Sequence, residues 1–126
     1  MRLNQVTVYV TDLERSVAFY TTLGLKQIVG GTDHYARFVC PDGEATFSVE
    51  VVPGPIPASS DVIYFECDDV DADVARLRAA GIVIDTEPTD QSWLWREAYL
   101  RDPDGHVICL YHAGENRLNP PWRLRD

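Results

Sequence analysis

Residues 6–25 read VTVYVTDLERSVAFYTTLGL, and residues 62–82 read VIYFECDDVDADVARLRAAGI. Each stretch opens on apolar residues at alternate positions, the period of a half-buried strand. An acidic residue of the type that caps a helix follows, Asp12 in one and Asp69 in the other, with Thr11 a second candidate cap in the first. Leu13, Val17 and Tyr20 then form an apolar stripe at helical spacing, as do Val70, Val74 and Leu77; Gly24 and Gly81 stop the two helices. Asp12 and Asp69 lie 57 positions apart, and so do Gly24 and Gly81.

The parallel continues outward. RFVCPDGEATFSVEVV (37–52) and YLRDPDGHVICLYH (99–112) each hold two strand-like runs around a Pro-Asp-Gly turn, with Pro41 and Pro103 62 positions apart. A five-residue insertion is therefore expected in the second half, near TEPTDQSW (86–93). Strands are predicted near 3–10, 25–30, 34–40 and 45–52, and after the second helix near 82–86, 94–101 and 107–112. The chain thus reads as one supersecondary unit used twice. The expected fold is one α+β domain over 1–126, with a first βαβββ module at 3–52 and a second at 61–112. PGPIPASS (53–60) holds three prolines and serves as the connector. In the tail, 113–126, Pro120 and Pro121 forbid a helix while Trp122 is costly to leave in water, so this segment is expected to dock.

Composition bounds the function. With 126 residues, 45% of them hydrophobic, the chain can build one core without disulfides or a structural metal. A net charge of -9 opposes nucleic acid and anionic membrane as partners, because both require a positive footprint. Cys40, Cys67 and Cys109 are odd in number and lack CxxC spacing, which points to a reducing compartment, the cytoplasm. No segment approaches the roughly 20 apolar residues of a membrane span.

Sorting strand residues by parity separates two faces. Val6, Val8, Phe38, Phe47, Val49, Ile63, Phe65, Ile108 and Leu110 suit packing against helices. The opposite set is Gln5, Thr7, Tyr9, Tyr35, Arg37, Ser48, Glu50, Val62, Tyr64, Glu66, Cys109 and Tyr111, joined by Trp95, Glu97 and Tyr99. Water-facing sheets carry fewer aromatics and dry cores exclude Arg37, Glu50 and Glu66, so this mixed lining predicts a small-molecule cleft; a dimer interface or a wetted outer sheet is the plainer reading. Trp93 and Trp95 alternate, so their indoles either stack on a flat or cationic ligand or simply pack.

The order and spacing of VTVYVTDLERSVAFYTTLGL, YFECDDVDADVARLRAAGI and YLRDPDGHVICLYH resemble the vicinal oxygen chelate superfamily, over residues 3–112. That superfamily includes glyoxalase I, extradiol dioxygenases, fosfomycin resistance enzymes and bleomycin resistance proteins. The resemblance implies paired βαβββ modules whose sheets curve around a cleft, in a homodimer. Metal-dependent members ligate from the first and fourth strands of each module. Matched here, those positions fall on Gln5, on Glu50 or Ser48, on Val62 and on Cys109. Val62 has no lone pair and Gln5 is a weak neutral donor, so the set is broken and no metal cofactor is expected. His34, His106 and His112 are read as surface or packing residues.

Glu50, Glu66 and Cys109 are the catalytic candidates. A carboxylate among aromatics can serve as a general base, unless Arg37 or Arg96 pairs with it. Cys109 needs a lowered pKa to be reactive and otherwise packs as a small hydrophobe in the cleft wall. The leading expectation is a metal-free protein that binds a small organic molecule, with Tyr9, Tyr64, Trp95 and Tyr111 as stacking surface and Gln5, Arg37, Glu50 and Glu66 orienting polar groups. Thr7, Ser48, Val62 and Cys109 complete the predicted ligand contacts. The alternative is a glyoxalase-like lyase, isomerase or dioxygenase with a divalent metal on Gln5, Glu50 and Cys109.

Overall fold

The computed structural model describes residues 1–125. Strand β1 (Gln5–Val10) leads into helix α1 (Leu13–Leu23), then β2 (Lys26–Val29), β3 (Tyr35–Val39) and β4 (Thr46–Val51). The series repeats as β5 (Val62–Glu66), α2 (Val70–Ala79), β6 (Thr86–Asp90), β7 (Arg96–Arg101) and β8 (Val107–His112), ending in a short 3-10 turn, Gly114–Arg117. Both predicted caps form: Asp12 Oδ1 accepts from the Arg15 amide at 2.9 Å and Asp69 Oδ1 from the Ala72 amide at 3.0 Å. Gly24 ends α1 at a φ of 123°, a value that L side chains rarely adopt.

The strands form two sheets, ordered β1-β4-β3-β2 and β5-β8-β7-β6, each with one parallel pair and two antiparallel pairs. The chain divides into two units: unit 1 holds Met1–Ser59 with Asp102–His106, and unit 2 holds Ser60–Arg101 with Val107–Asp126. In unit 1, Tyr20 is fully buried with its ring centroid 4.6 Å from that of Phe47, above a layer that includes Val10, Phe38 and Val49. In unit 2, Val70, Val74 and Leu77 of α2 are buried, as are Ala98, Leu100, Ile108 and Leu110 of the sheet. Each helix therefore covers the predicted apolar parity of its sheet.

Four details depart from the sequence reading. The buried residues of α1 are Ser16, Tyr20 and Leu23, whereas Leu13 and Val17 stay half-exposed. Ser16 occupies the close approach because its small side chain lets the backbone near the sheet. Val6, near the start of β1, is exposed, whereas Val8 and Val10 further along the same face are buried. Two residues separate α1 from β2 but six separate α2 from β6, so most of the insertion precedes TEPTDQSW, and the strand expected near 82–86 lies at Thr86–Asp90. Pro88 is tolerated there because β6 is an edge strand. Finally, the tail docks only in part: Asn116 accepts from the Trp95 indole at 3.4 Å through its backbone carbonyl, yet Trp122 remains exposed.

Unit 1 also contains a polar pin. Tyr20 donates to Asp102 Oδ2 at 2.7 Å, while Asp102 Oδ1 accepts from the amides of Asp104 and His106, both at 2.9 Å. Thr11 donates to Asp104 from its hydroxyl at 2.6 Å, and His106 Nε2 lies 2.6 Å from the Tyr9 carbonyl. His106 thus acts in packing, and His34 and His112 are exposed.

Candidate functional site

In unit 1 the sheet face opposite Phe47 and Val49 carries a connected row of polar groups. The register places Thr7 and Arg37 on either side of Ser48, and Tyr9 and Tyr35 on either side of Glu50. Ser48 is fully buried, and its hydroxyl lies 2.7 Å from the Tyr35 hydroxyl and accepts from Gln5 Nε2 at 2.9 Å. Arg37 Nε donates to the Tyr35 hydroxyl at 3.0 Å, and Gln5 Nε2 also reaches Thr7 Oγ1 at 3.1 Å. The Ser48 hydrogen bond, then Arg37, hold the Tyr35 phenol below its ordinary pKa against the opposing effects of burial and Glu50. Glu50 is half-buried.

In unit 2 the corresponding face is aromatic. Trp95 stacks on Tyr111 with centroids 4.7 Å apart, and Tyr64 meets both rings edge-on, at 6.0 Å from Trp95 and 5.5 Å from Tyr111. Tyr64 is 45% exposed, so one side of this cluster is open to solvent. Cys109 is fully buried, in a cluster with Tyr111 and Ala113 against which Val62, Trp95 and Tyr99 pack. Burial, then the charge of Glu97, push the Cys109 thiol up to about 12. Burial thus favours the protonated thiol, and a protonated thiol is a poor nucleophile.

Glu97 is itself buried beside this wall. It accepts from Trp93 Nε1 on Oε2 and from the Tyr99 hydroxyl on Oε1, each at 3.0 Å. Burial, the Tyr64 hydrogen bond, Cys109 and Glu97 all raise the Tyr99 phenol. Glu66, in contrast, is committed to structure: its Oε2 accepts from the amides of Ala113 and Gly114 at 2.8 and 3.0 Å, and Arg117 Nε lies 3.9 Å from Oε1. That pairing weakens Glu66 as a general base. Arg96 is engaged elsewhere, by Asp71 and Asp90.

The structure thus brings Gln5, Thr7, Ser48 and Arg37 into one hydrogen-bonded row, with Tyr9 and Glu50 beside it. It brings Val62, Tyr64, Trp95, Cys109 and Tyr111 into one aromatic wall. Tyr35, Trp93, Glu97 and Tyr99 complete these faces; alternation through WLWREAY was the signal for the last three.

Metal-dependent chemistry finds a poor donor set here. The Gln5 oxygen accepts from the Thr46 hydroxyl, its amide nitrogen is spent on Thr7 and Ser48, Val62 offers no donor, and Cys109 is a buried protonated thiol. Among the described residues no group of three or more His, Cys, Asp or Glu side chains is placed to hold a metal ion. Of the positions matched to the family's ligands, Glu50 is left as the one strong anionic donor, short of the three protein ligands that a catalytic zinc takes.

The fold, a pair of βαβββ sheets each backed by one helix, defines the class. A family model described as the Glyoxalase/Bleomycin resistance protein/Dioxygenase superfamily matches residues 2–110, and the chain belongs to that superfamily. The uncharacterized protein YraH of Bacillus subtilis (strain 168) is 29% identical over 127 residues, covering 88% of this chain and 98% of YraH. TnmS3, an antibiotic binding protein from Streptomyces sp. CB03234, superposes with a TM-score of 0.76 at 27% identity, over 90% of this chain and 96% of its own. Lactoylglutathione lyase from Agrobacterium tumefaciens shares the fold, with a TM-score of 0.72 at 21% identity, over 88% of this chain and 92% of its own.

Proposed function

We propose that the protein binds a small, flat organic molecule against the aromatic face of unit 2 and does so without a metal ion. The observation that carries this reading is the Tyr64, Trp95 and Tyr111 ring cluster, open on the Tyr64 side and backed by the dry wall of Cys109 and Ala113. Rings already locked by their neighbours lose little entropy when a planar ligand settles on them, so the contact converts efficiently into affinity. The likeness to TnmS3, an antibiotic binding protein, supports binding as the role.

Two further features belong to this reading. Leu3, Leu118, Trp122 and Leu124 are large, apolar and exposed, which supports a homodimer that covers some of them. Three free cysteines support a reducing compartment, the cytoplasm.

The test is calorimetric titration of protein purified without a metal-affinity tag, using planar polycyclic molecules of three or four fused rings, with metal content measured on the same sample. Binding by metal-free protein, lost in Tyr64→Ala and Trp95→Ala, is the expected result. A ligand at about 100 times its dissociation constant should add about 2.7 kcal/mol of stability. Binding that appears only after a divalent ion is added overturns the reading.

A further inference from the structure

We infer that the ligand of the aromatic face carries a protonated nitrogen, which is received by the buried carboxylate of Glu97 in place of the Trp93 indole N–H. The inference rests on the reading above, that a planar molecule binds this face.

Glu97 is 2% exposed, and its two hydrogen bonds come from neutral donors, the Trp93 indole and the Tyr99 hydroxyl. Among the described residues no Arg, Lys or His pairs with it; the neighbouring Arg96 is held by Asp71 and Asp90, and Arg117 by Glu66. A buried carboxylate without a cation is expensive for a fold to maintain, and a hydrogen bond from a charged donor is about twice as strong as one from a neutral donor. An ammonium or ring N–H cation supplied by a ligand meets this deficit.

The surroundings suit the same ligand. Tyr64 and Trp93 are exposed aromatic residues of this unit, and a cation over the face of such a ring is attracted by its quadrupole. Trp93 is also the partner best able to yield. It is 44% exposed and sits in the turn from Gln91 to Trp95, next to Leu94, whose φ of 68° is strained for a residue with a side chain. The turn is closed by bonds from the Gln91 amide to the Trp95 carbonyl and from the Leu94 amide to the Gln91 carbonyl, at 2.8 and 3.0 Å. Rotation of the indole away from Oε2 leaves those bonds intact and frees one carboxylate oxygen of Glu97, whose cross-strand neighbour is Tyr111 of the ring cluster. The net charge of -9 favours the approach of a cation as well.

The experiment compares three flat three-ring probes of different charge by calorimetry at pH 8: the 9-aminoacridinium cation, neutral acridine and the 9-anthracenecarboxylate anion. The native protein is expected to bind the cation at least about tenfold more tightly than acridine, and the anion most weakly, tenfold corresponding to about 1.4 kcal/mol. Glu97→Gln should bring the ratio of cation to acridine affinity close to one. Trp93→Phe keeps a ring but removes the competing N–H, and should tighten the cation several-fold. If all three probes bind equally, the planar site stands and the inference fails. A charge preference that persists in Glu97→Gln, or Trp93→Phe that leaves the cation unchanged or weaker, also overturns the inference. Should no probe bind the native protein, the planar site itself is wrong and the inference goes with it.

Discussion

Trp95 and Tyr111 stack with ring planes 25° from parallel and centroids 4.7 Å apart, and Tyr64 meets both edge-on. Trp95 thus joins the strand β7 end to β8 through a contact between side chains. Truncation to alanine removes the stack and opens a gap over Cys109. Because Trp95 is only half-buried, Trp95→Ala should cost about 2 kcal/mol, less than the roughly 3–5 typical of buried aromatics, while Trp95→Phe recovers most of it. Thermal melting of both variants checks this, and a Trp95→Ala midpoint equal to that of the native protein contradicts it.

Glu66 holds the end of the chain to unit 2 by accepting the amides of Ala113 and Gly114. Since Glu66 is exposed and Arg117 lies near the limit of an ion pair, the gain is modest. Glu66→Ala should cost about 1 kcal/mol and, more tellingly, accelerate hydrogen exchange at the Ala113 and Gly114 amides. Unchanged exchange there would falsify the pin.

Asp102 ties its own turn to α1. One oxygen takes the buried Tyr20 hydroxyl and the other two backbone amides, so the residue is a hub whose bonds are all within unit 1. Tyr20→Phe leaves the carboxylate short of one donor in a dry site, at about 1.5–3 kcal/mol. Asp102→Ala strips three bonds at once and should cost more than Tyr20→Phe. Denaturant midpoints of the two variants and of the double variant measure the coupling; strict additivity of the two losses would show that the bond matters little.

The repeat was legible because its marks are backbone requirements. Asp12 and Asp69 are needed to satisfy amides at a helix start, Gly24 to turn the chain at positive φ, and the strand alternation to keep Val8, Phe38 and Ile108 inside. The site was legible only as a parity. Alternation brought Tyr64, Trp95 and Tyr111 to one face, but which carboxylate is buried depends on packing across strands. Glu97 lies between Thr89 of β6 and Tyr111 of β8, in a central strand, whereas Glu66 belongs to an edge strand and bonds the tail. Composition gives both the same letter. The α1 stripe misled for a similar reason: Ser16 is buried because of its size, and hydropathy carries no information on that.

Two thiols set the response to alkali. Burial and Asp73 push Cys67 up to about 12, and burial with Glu97 pushes Cys109 up to about 12, from ordinary values near 9. In both cases the folded state favours the protonated form, so a raised folded pKa adds stability that is fully present below pH 9. Above that pH the unfolded chain releases its thiol protons while the native protein keeps them, and the unfolding free energy falls as pH rises toward 12. Tyr20, Tyr99 and Tyr111, whose phenols are also raised, add to the loss above about pH 10. Urea midpoints should therefore be flat between pH 7 and 8.5 and decline steadily from there. Cys109→Ala, which removes one titrating group from both states, should flatten the decline, and at neutral pH the native Cys109 should resist a thiol reagent that modifies it readily in urea. A native midpoint that holds to pH 11 would contradict the raised thiols and phenols together, because it would mean that they release their protons in the fold as readily as in the unfolded chain.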